Sequence, residues 1–596
     1  MLKRFLTLTT ACVLTVSLCA LPARRIKRTV TQPDGTTLTI TMQGDEHLHY
    51  ICTNDGLPLM RTATGAYCYA TINNAQLHPS TVMAHEATTR SANELEFVSQ
   101  QVPTQRTLGA LRKERVMMKK RPPKRLLQQM ETVQNSGEIC TSQKPANITG
   151  QRKGLVVLVN FKDTKMQSAH TQECFDDQFN LEGYHVNGNS GSVHDYFKAQ
   201  SYGLFDLTFD VVGPVTLPRN MASYGANDAN GNDRDAVRMV YEAVKLAKKE
   251  HPELNFKDYD WDGDGEVEQV FVIYAGYGEA SDVYGTMPNT IWPHEWQLSA
   301  GGYQLEIDGV KIDTYGCSAE LLGNEDYPLM MDGIGSACHE FSHCLGLPDF
   351  YDTSDTMSPA FGLDEWSLMD YGCYCADGFC PAGYTAYERW MSGWLTPTVL
   401  DVATTISDMK ALVDAPEAYV IYNEAHPDEY YLLENRQQWG SDSELQGHGL
   451  LVLHVDYDKA TWFNNEVNNV KSHPRCSIIA ADNKWTTKTL KGDPFPGSSN
   501  RTELTDGSRP VASLFNENVN GLYLMSKPLT NITESASGLI SFNFMGGGTM
   551  DGIDAPKVDD GNGALPVYDV TGRFMGKMSK GRFERARRNS GTWLIR

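Results

Sequence analysis

The segment HEFSHCLGLPD, residues 339–349, combines the H-E-x-x-H spacing with a following G-x-x-D. Residues four apart on a helix share a face, so His339 and His343 can offer both imidazoles to one ion. Glu340 is rotated about 100° from His339, which sets its carboxylate beside such an ion, where a general base for a water is needed. Gly346 can take a positive φ and stop the helix, and Pro348 discourages its resumption. The chain can then return Asp349 as a third protein ligand, with His454 and Glu434 the next candidates if it does not. Three ligands with one open position are the pattern of a catalytic rather than a structural zinc. Ile334, Ala337, Cys338, Phe341, Cys344 and Leu345 form an apolar arc on the opposite side, which predicts a helix with a buried back and a chemical front.

Two further groups carry possible chemistry. Met369 and Tyr371 lie in EWSLMDYG (365–372), about 26 residues beyond His343. Met369 resembles the methionine that lies in a tight turn beneath the metal in metzincin-type zinc proteases, and the phenol of Tyr371 could stabilise an oxyanion as a catalytic group; the alternative is that both are core residues. In DYDWDGDGEVE (258–268), Asp260, Asp262, Asp264 and the carbonyl of Glu266 match positions one, three, five and seven of a calcium loop, with Gly265 at the sharp turn. Phe271 stands where the bidentate glutamate belongs, so Asp258 or Glu268 would have to supply the missing ligand. The bland alternative is an acidic solvated turn.

These residues need a scaffold, and 596 residues are enough for several domains. An apolar run from Phe5 to Ala23 after Lys3 and Arg4 reads as a secretory signal peptide, residues 1–23. Residues 24–150 open with alternating strands such as TLTITM (37–42) and YCYATI (67–72), and close on a helix-prone stretch and the basic segment LRKERVMMKKRPPKR (111–125). Exposed polar linkers concentrate proteolytic nicking, so residues 24–150 read as a removable pro-segment. Residues 151–400 form the catalytic unit. KGLVVLVNF (153–161) is its buried central strand, residues 193–215 a helix and an alternating strand pair, 234–250 an amphipathic helix, and QVFVIYAGYG (269–278) a further strand. Residues 401–546 are rich in strand signals and read as a β-sandwich-like domain. Residues 547–596 are a short separate module. The fold class expected is multidomain α+β.

A net charge of −22 argues against nucleic acid as a partner, since its binding requires cationic side chains. Beyond the amino-terminal run no segment is long and apolar enough to span a bilayer. The 13 cysteines include Cys317, Cys338, Cys344, Cys373, Cys375 and Cys380 near the proposed metal, where disulfides and buried thiols are equally open.

Residues from about 150 to 546 resemble the immune inhibitor A family of bacterial metalloproteases. The likeness rests on HEFSHCLGLPDFYD (339–352), SLMDYG (367–372), SYGLFDL (201–207), the acidic loop, and EYYLLENRQ with GLLVLHVD (429–437 and 449–456). It implies a secreted zinc endopeptidase with a metzincin-like catalytic domain. In that reading His339, His343 and Asp349 bind zinc, Glu340 is the base and Met369 is the turn methionine. Residues 31–56 also look like the pro-segment of cell-surface relatives. The carboxy-terminal module, with YDVTGR, is similar to type IX sorting signals, which implies contact with secretion machinery and release from, or display on, a Gram-negative cell. Protein or peptide substrates are implied. Two other readings are an adhesion or glycan-binding protein on a decayed protease scaffold and a cysteine hydrolase using Cys338 or Cys344. The first has no reason to keep Glu340 with all three ligands, and both cysteines fall on the buried arc.

Overall fold

The computed structural model describes residues 19–46, 48–115, 143, 145–228, 232–354, 360–548, 564–568 and 574–579. Residues 1–18 of the signal reading, most of the basic linker and most of the carboxy-terminal module lie outside these. Within that module only an antiparallel pair, Ala564–Tyr568 with Phe574–Ser579, is described. The architecture is mixed α/β with several sheets. No helix among the described residues is long and apolar enough to cross a membrane.

The six-stranded sheet that positions the candidate site is built around Gly150–Asn160. Its Leu155 to Val159 are all buried, because helices cover both faces. It pairs in parallel with Phe205–Thr216 on one side and Val270–Tyr277 on the other. Thr314–Leu321 continues the sheet in parallel, His294–Gln297 adds an antiparallel strand, and Cys19–Ala20 pairs on its outer side. The strand pair read within residues 193–215 is one long strand after the helix Val193–Gln200. Side chains alternate along the central strand, so Leu155, Val157 and Val159 meet the helix Ala236–Glu250. Val237, Val240, Ala243, Val244 and Ala247 of that helix are buried, as their spacing predicts. Val156 and Leu158 face the other way, into the core that holds Cys338 and Phe341. Gly154 permits that approach, since a Cβ there would lie 2.6 Å from the Phe209 ring and 3.4 Å from Phe341.

Upstream, Lys27–Thr31 through Gln76–Met83 make a six-stranded antiparallel meander, followed by helices Ala92–Gln101 and Gln105–Arg115. Downstream, Ala418–Tyr422, Glu429–Arg436 and Gly449–Asp456 are the centre of a five-stranded sheet, and a three-stranded sheet holds Thr404–Met409, Ile540–Phe544 and Leu529–Glu534. Tyr431 and Leu433 face the core shared by these two sheets, whereas Tyr430 and Leu432 face Tyr384 and Tyr387 of the catalytic unit. Apolar packing therefore runs unbroken across the boundary read near residue 400. A buried charge is fully satisfied there: Arg436 donates to Asp442 (2.7 and 2.8 Å), Glu434 (3.0 Å) and the carbonyls of Trp366 (2.9 Å) and Gly383 (3.1 Å).

Candidate metal centre

His339 and His343 sit on the helix Gly335–Cys344, all ten residues of which are buried. The back of the helix packs Phe341 against Phe197, Phe209 and Trp261, with ring centroids 5.4–6.1 Å apart. Gly346 ends it at φ 93°, and the chain turns back through Leu347 and Pro348 to Asp349. The chemical front is buried as well, and the backbone of Leu21 reaches it.

Each imidazole is oriented by a main-chain carbonyl. His339 Nδ1 donates to Leu368 O and His343 Nδ1 donates to Leu347 O, both at 2.8 Å. A carbonyl can only accept, so Nδ1 carries a proton, and in the neutral imidazole each Nε2 presents a lone pair. Both Nε2 atoms converge on Asp349 Oδ1, at 3.2 and 3.6 Å. His339 Nε2 and Asp349 Oδ1 are buried and make no hydrogen bond. Acceptors brought together in a dry interior repel one another unless a cation lies between them. Two ligand atoms ~2.05 Å from a tetrahedral zinc would stand about 3.3 Å apart, close to the spacings here. On donor chemistry, burial and spacing the three side chains fit a zinc ion.

Glu340 lies beside this trio. Its Oε1 accepts from Leu21 N at 3.2 Å, while Oε2 makes no hydrogen bond. Burial, then the charges of Asp349, Glu295 and Glu46, hold the Glu340 acid well above the usual carboxylate range, against the pull of the Leu21 N–H. Met369 is fully buried, and its carbonyl accepts from Phe350 N at 2.8 Å, tying the turn to the residue after Asp349. Ser367 Oγ and Met369 N both donate to Glu388 Oε1, at 2.7 and 3.3 Å. Tyr371 lines a cavity of about 480 Å³ with Pro22, Arg25 and Tyr351, and the Arg25 guanidinium stands 3.3 Å over its ring. His454 pairs with Glu429 and Glu434 with Arg436, so neither alternative ligand joins the trio.

Leu21, inside the span read as signal peptide, is buried against this site, and Ala23 is buried with Met42, Ala280 and Trp292. Cys19–Ala20 pairs antiparallel with the edge strand at Glu295 and His294. Trp292 Nε1 donates to Leu21 O at 3.0 Å, and Arg24 and Arg25 pair with Asp332 and Asp364, each at 2.9 Å. A second residue outside the sequence reading is Asn465, whose amide contacts Asp349 from 116 positions away. No spacing rule connects residues so distant, and an asparagine-rich loop carries no metal signature of its own.

In the acidic loop Asp260, Asp262 and Glu268 bring their carboxylates within 4.8 Å of one another. Asp264 is outside that group and accepts from Glu266 N at 3.0 Å, while Glu266 pairs with Lys311 at 3.5 Å. Among the described residues the ten cysteines with described side chains, including the six around the candidate centre, form no disulfide with one another.

Residues 147–398 match the family described as immune inhibitor A peptidase M6, catalytic domain. Immune inhibitor A of Bacillus thuringiensis subsp. alesti is 26% identical over 270 residues, covering 40% of this chain and 39% of that protein. The pre-pro-metalloprotease PrtV of Vibrio cholerae serotype O1 (strain M66-2) is 27% identical over 281 residues, covering 41% of this chain and 30% of PrtV. The chain thus matches these curated relatives over well under half of their length. The histidines, the glutamate between them and the aspartate after the glycine turn all fall within residues 147–398, the stretch that is similar to the immune inhibitor A peptidase M6 catalytic domain.

Proposed function

We propose that the chain is a secreted zinc endopeptidase made as a latent precursor. The observation that carries this reading is the convergence of His339, His343 and Asp349 acceptors, 3.2–3.6 Å apart, beside a buried glutamate with one oxygen unengaged. Bound zinc supplies Lewis acidity, acidifying a water and polarising the scissile carbonyl. His339, His343 and Asp349 hold the ion. Glu340 takes a proton at Oε2 and returns it to the leaving amine, a role suited to an acid whose proton affinity is raised by its surroundings. The Tyr371 phenol is the side chain offered to the developing oxyanion, and Met369 is the turn methionine of a metzincin-like fold. The downstream sheets, which share one core, fit a β-sandwich. Calcium, held by Asp260, Asp262 and Glu268, is a structural ion in this reading. Export by an amino-terminal signal, with a type IX-like carboxy-terminal module, and protein substrates complete it.

Latency is supported by what occupies the cleft. The Leu21 N–H engages the base, Arg25 covers Tyr371, and residues 19–20 take up the exposed side of the edge strand. His49 of the meander stacks on Trp292 and pairs with Glu279 at 3.2 Å, which adds a grip from the body of the pro-segment. These contacts support a signal that ends before Cys19 rather than after Ala23.

The test uses the zinc-loaded full chain, with hydrolysis of a denatured protein followed before and after brief trypsin treatment. Early cleavage between about residues 111 and 125 is expected, with a rise in activity. Glu340→Ala, cut in the same way, is expected to keep zinc and lose at least ~100-fold in turnover. Full activity in the uncut chain would remove latency from the reading, and a Glu340→Ala variant within tenfold of wild type would remove the base.

A further inference from the structure

The segment Trp462–Val470, WFNNEVNNV, lies more than sixty residues beyond the stretch matched to the peptidase family, yet its asparagines grip the loop that carries Asp349. Asn465 Nδ2 donates to Asp349 Oδ2 at 2.6 Å, and Asp349 N donates to Asn465 Oδ1 at 2.7 Å. One amide therefore holds both the main chain of this aspartate and one of its carboxylate oxygens. With Oδ2 pinned, rotation about the carboxylate is removed and Oδ1 is left facing the two Nε2 atoms.

The clamp is itself fixed. Asn465 stands at φ 55°, a left-handed conformation that asparagine adopts more readily than most residues with a side chain. Its carbonyl accepts from Thr353 Oγ1 at 2.7 Å, and Thr353 Oγ1 also reaches Asn469 Oδ1 at 3.0 Å. Asn468 Nδ2 donates to Phe350 O at 2.6 Å and to Cys476 O at 2.7 Å, so the strand Cys476–Ile478 backs the arrangement. Asn465, Asn468, Thr353 and Asp349 are each at most 3% exposed, so water does not compete for these bonds.

We propose that Asn465 is a positioning residue for Asp349, and that the segment downstream of the peptidase domain completes the metal-ligand set. This rests on the reading of His339, His343 and Asp349 as zinc ligands. A side chain that only packed two segments together would need no reciprocal pair of hydrogen bonds on one carboxylate residue. Partners of this kind, one shell out from the metal, change affinity by ~10–100-fold when removed.

The test compares full-length wild type, Asn465→Gly and Tyr202→Phe, each stripped of metal and titrated with zinc against a chromophoric chelator. Glycine keeps the left-handed backbone and removes the amide. Tyr202→Phe is the control for lost contact between the same two parts of the chain, since the Tyr202 hydroxyl donates to Leu412 O at 2.6 Å and Ala415 O at 3.0 Å. Asn465→Gly is expected to weaken zinc binding by ~10–100-fold and to shift the visible bands of the cobalt(II)-substituted protein. Tyr202→Phe is expected to melt earlier with zinc affinity and cobalt bands unchanged. If Asn465→Gly does not fold, as judged by circular dichroism, Asn465→Asp replaces it, because it keeps the acceptor for Asp349 N and removes the donor. Its cobalt bands are then decisive. Wild-type affinity and bands in the variant would overturn the proposal and leave the zinc reading standing. A wild-type chain without a stoichiometric zinc site that Asp349→Ala abolishes would overturn both.

Discussion

The candidate metal centre and the acidic loop at residues 258–268 both gather side chains able to hold a cation, but they meet their hydrogen-bonding needs in opposite ways. At the centre, the outer atoms of the ligands are fixed by protein: the two Nδ1 atoms by carbonyls and Asp349 Oδ2 by Asn465. The inner atoms converge in a dry interior, where His339 Nε2 and Asp349 Oδ1 make no hydrogen bond. In the loop the carboxylates fold onto their own backbone. Gly263 N and Gly265 N donate to Asp260, Asp264 N to Asp262, and Trp261 N to Glu268 Oε2 at 2.6 Å. Such a turn stands without an ion and gains from one only by relief of repulsion. A list of acidic and imidazole side chains does not separate the two cases; the direction in which their lone pairs are spent does.

The contrast is broken most directly at the centre. Asp349→Ala is expected to weaken zinc binding by more than the ~10–100-fold brought by losing an outer partner, because two imidazoles hold the ion poorly. Elemental analysis showing full zinc in this variant would move the third ligand elsewhere. In the loop, Glu268→Ala is expected to destabilise the chain in calcium-free buffer, since it strips a buried N–H at Trp261 of its acceptor. The cost should be about 1–3 kcal/mol by denaturant titration. No loss there would mean that the loop is ordered by something other than its own hydrogen bonds. The smallest effect is calcium itself. At ten times its dissociation constant, calcium should stabilise the zinc-loaded chain by about 1.4 kcal/mol. A melting temperature indifferent to added calcium would leave the loop an ordinary turn.

The parts of the site that were legible in the sequence are those written in local spacing. The helix with His339, Glu340 and His343, the stop at Gly346 and the return of Asp349 all follow from 3.6-residue periodicity and one positive φ. The core strand near residues 153–161 and the helix near 234–250 follow from apolar pattern in the same way. Main-chain partners were not legible, because the carbonyls of Leu368 and Leu347 have no residue signature. Nor was the burial of the chemical front. Leu21 reads as the tail of an apolar signal, and nothing in the composition of that run distinguishes a leucine to be discarded from one to be packed beside Glu340. Asn465 was invisible for a third reason: a contact made across 116 positions is set by the whole fold.

The unbroken packing between the sheet built around Gly150–Asn160 and the sheet built on Glu429–Arg436 has a consequence for where this protein can be cut. The match to the family's catalytic domain ends at residue 398. Mechanically the chain has no seam there. A fragment ending at 398 would bare the apolar surfaces around Tyr384, Tyr387 and Trp394 that Tyr430 and Leu432 now cover, and would leave the carbonyls of Trp366 and Gly383 without the guanidinium of Arg436. The portable unit of this chain is longer than its recognisable one.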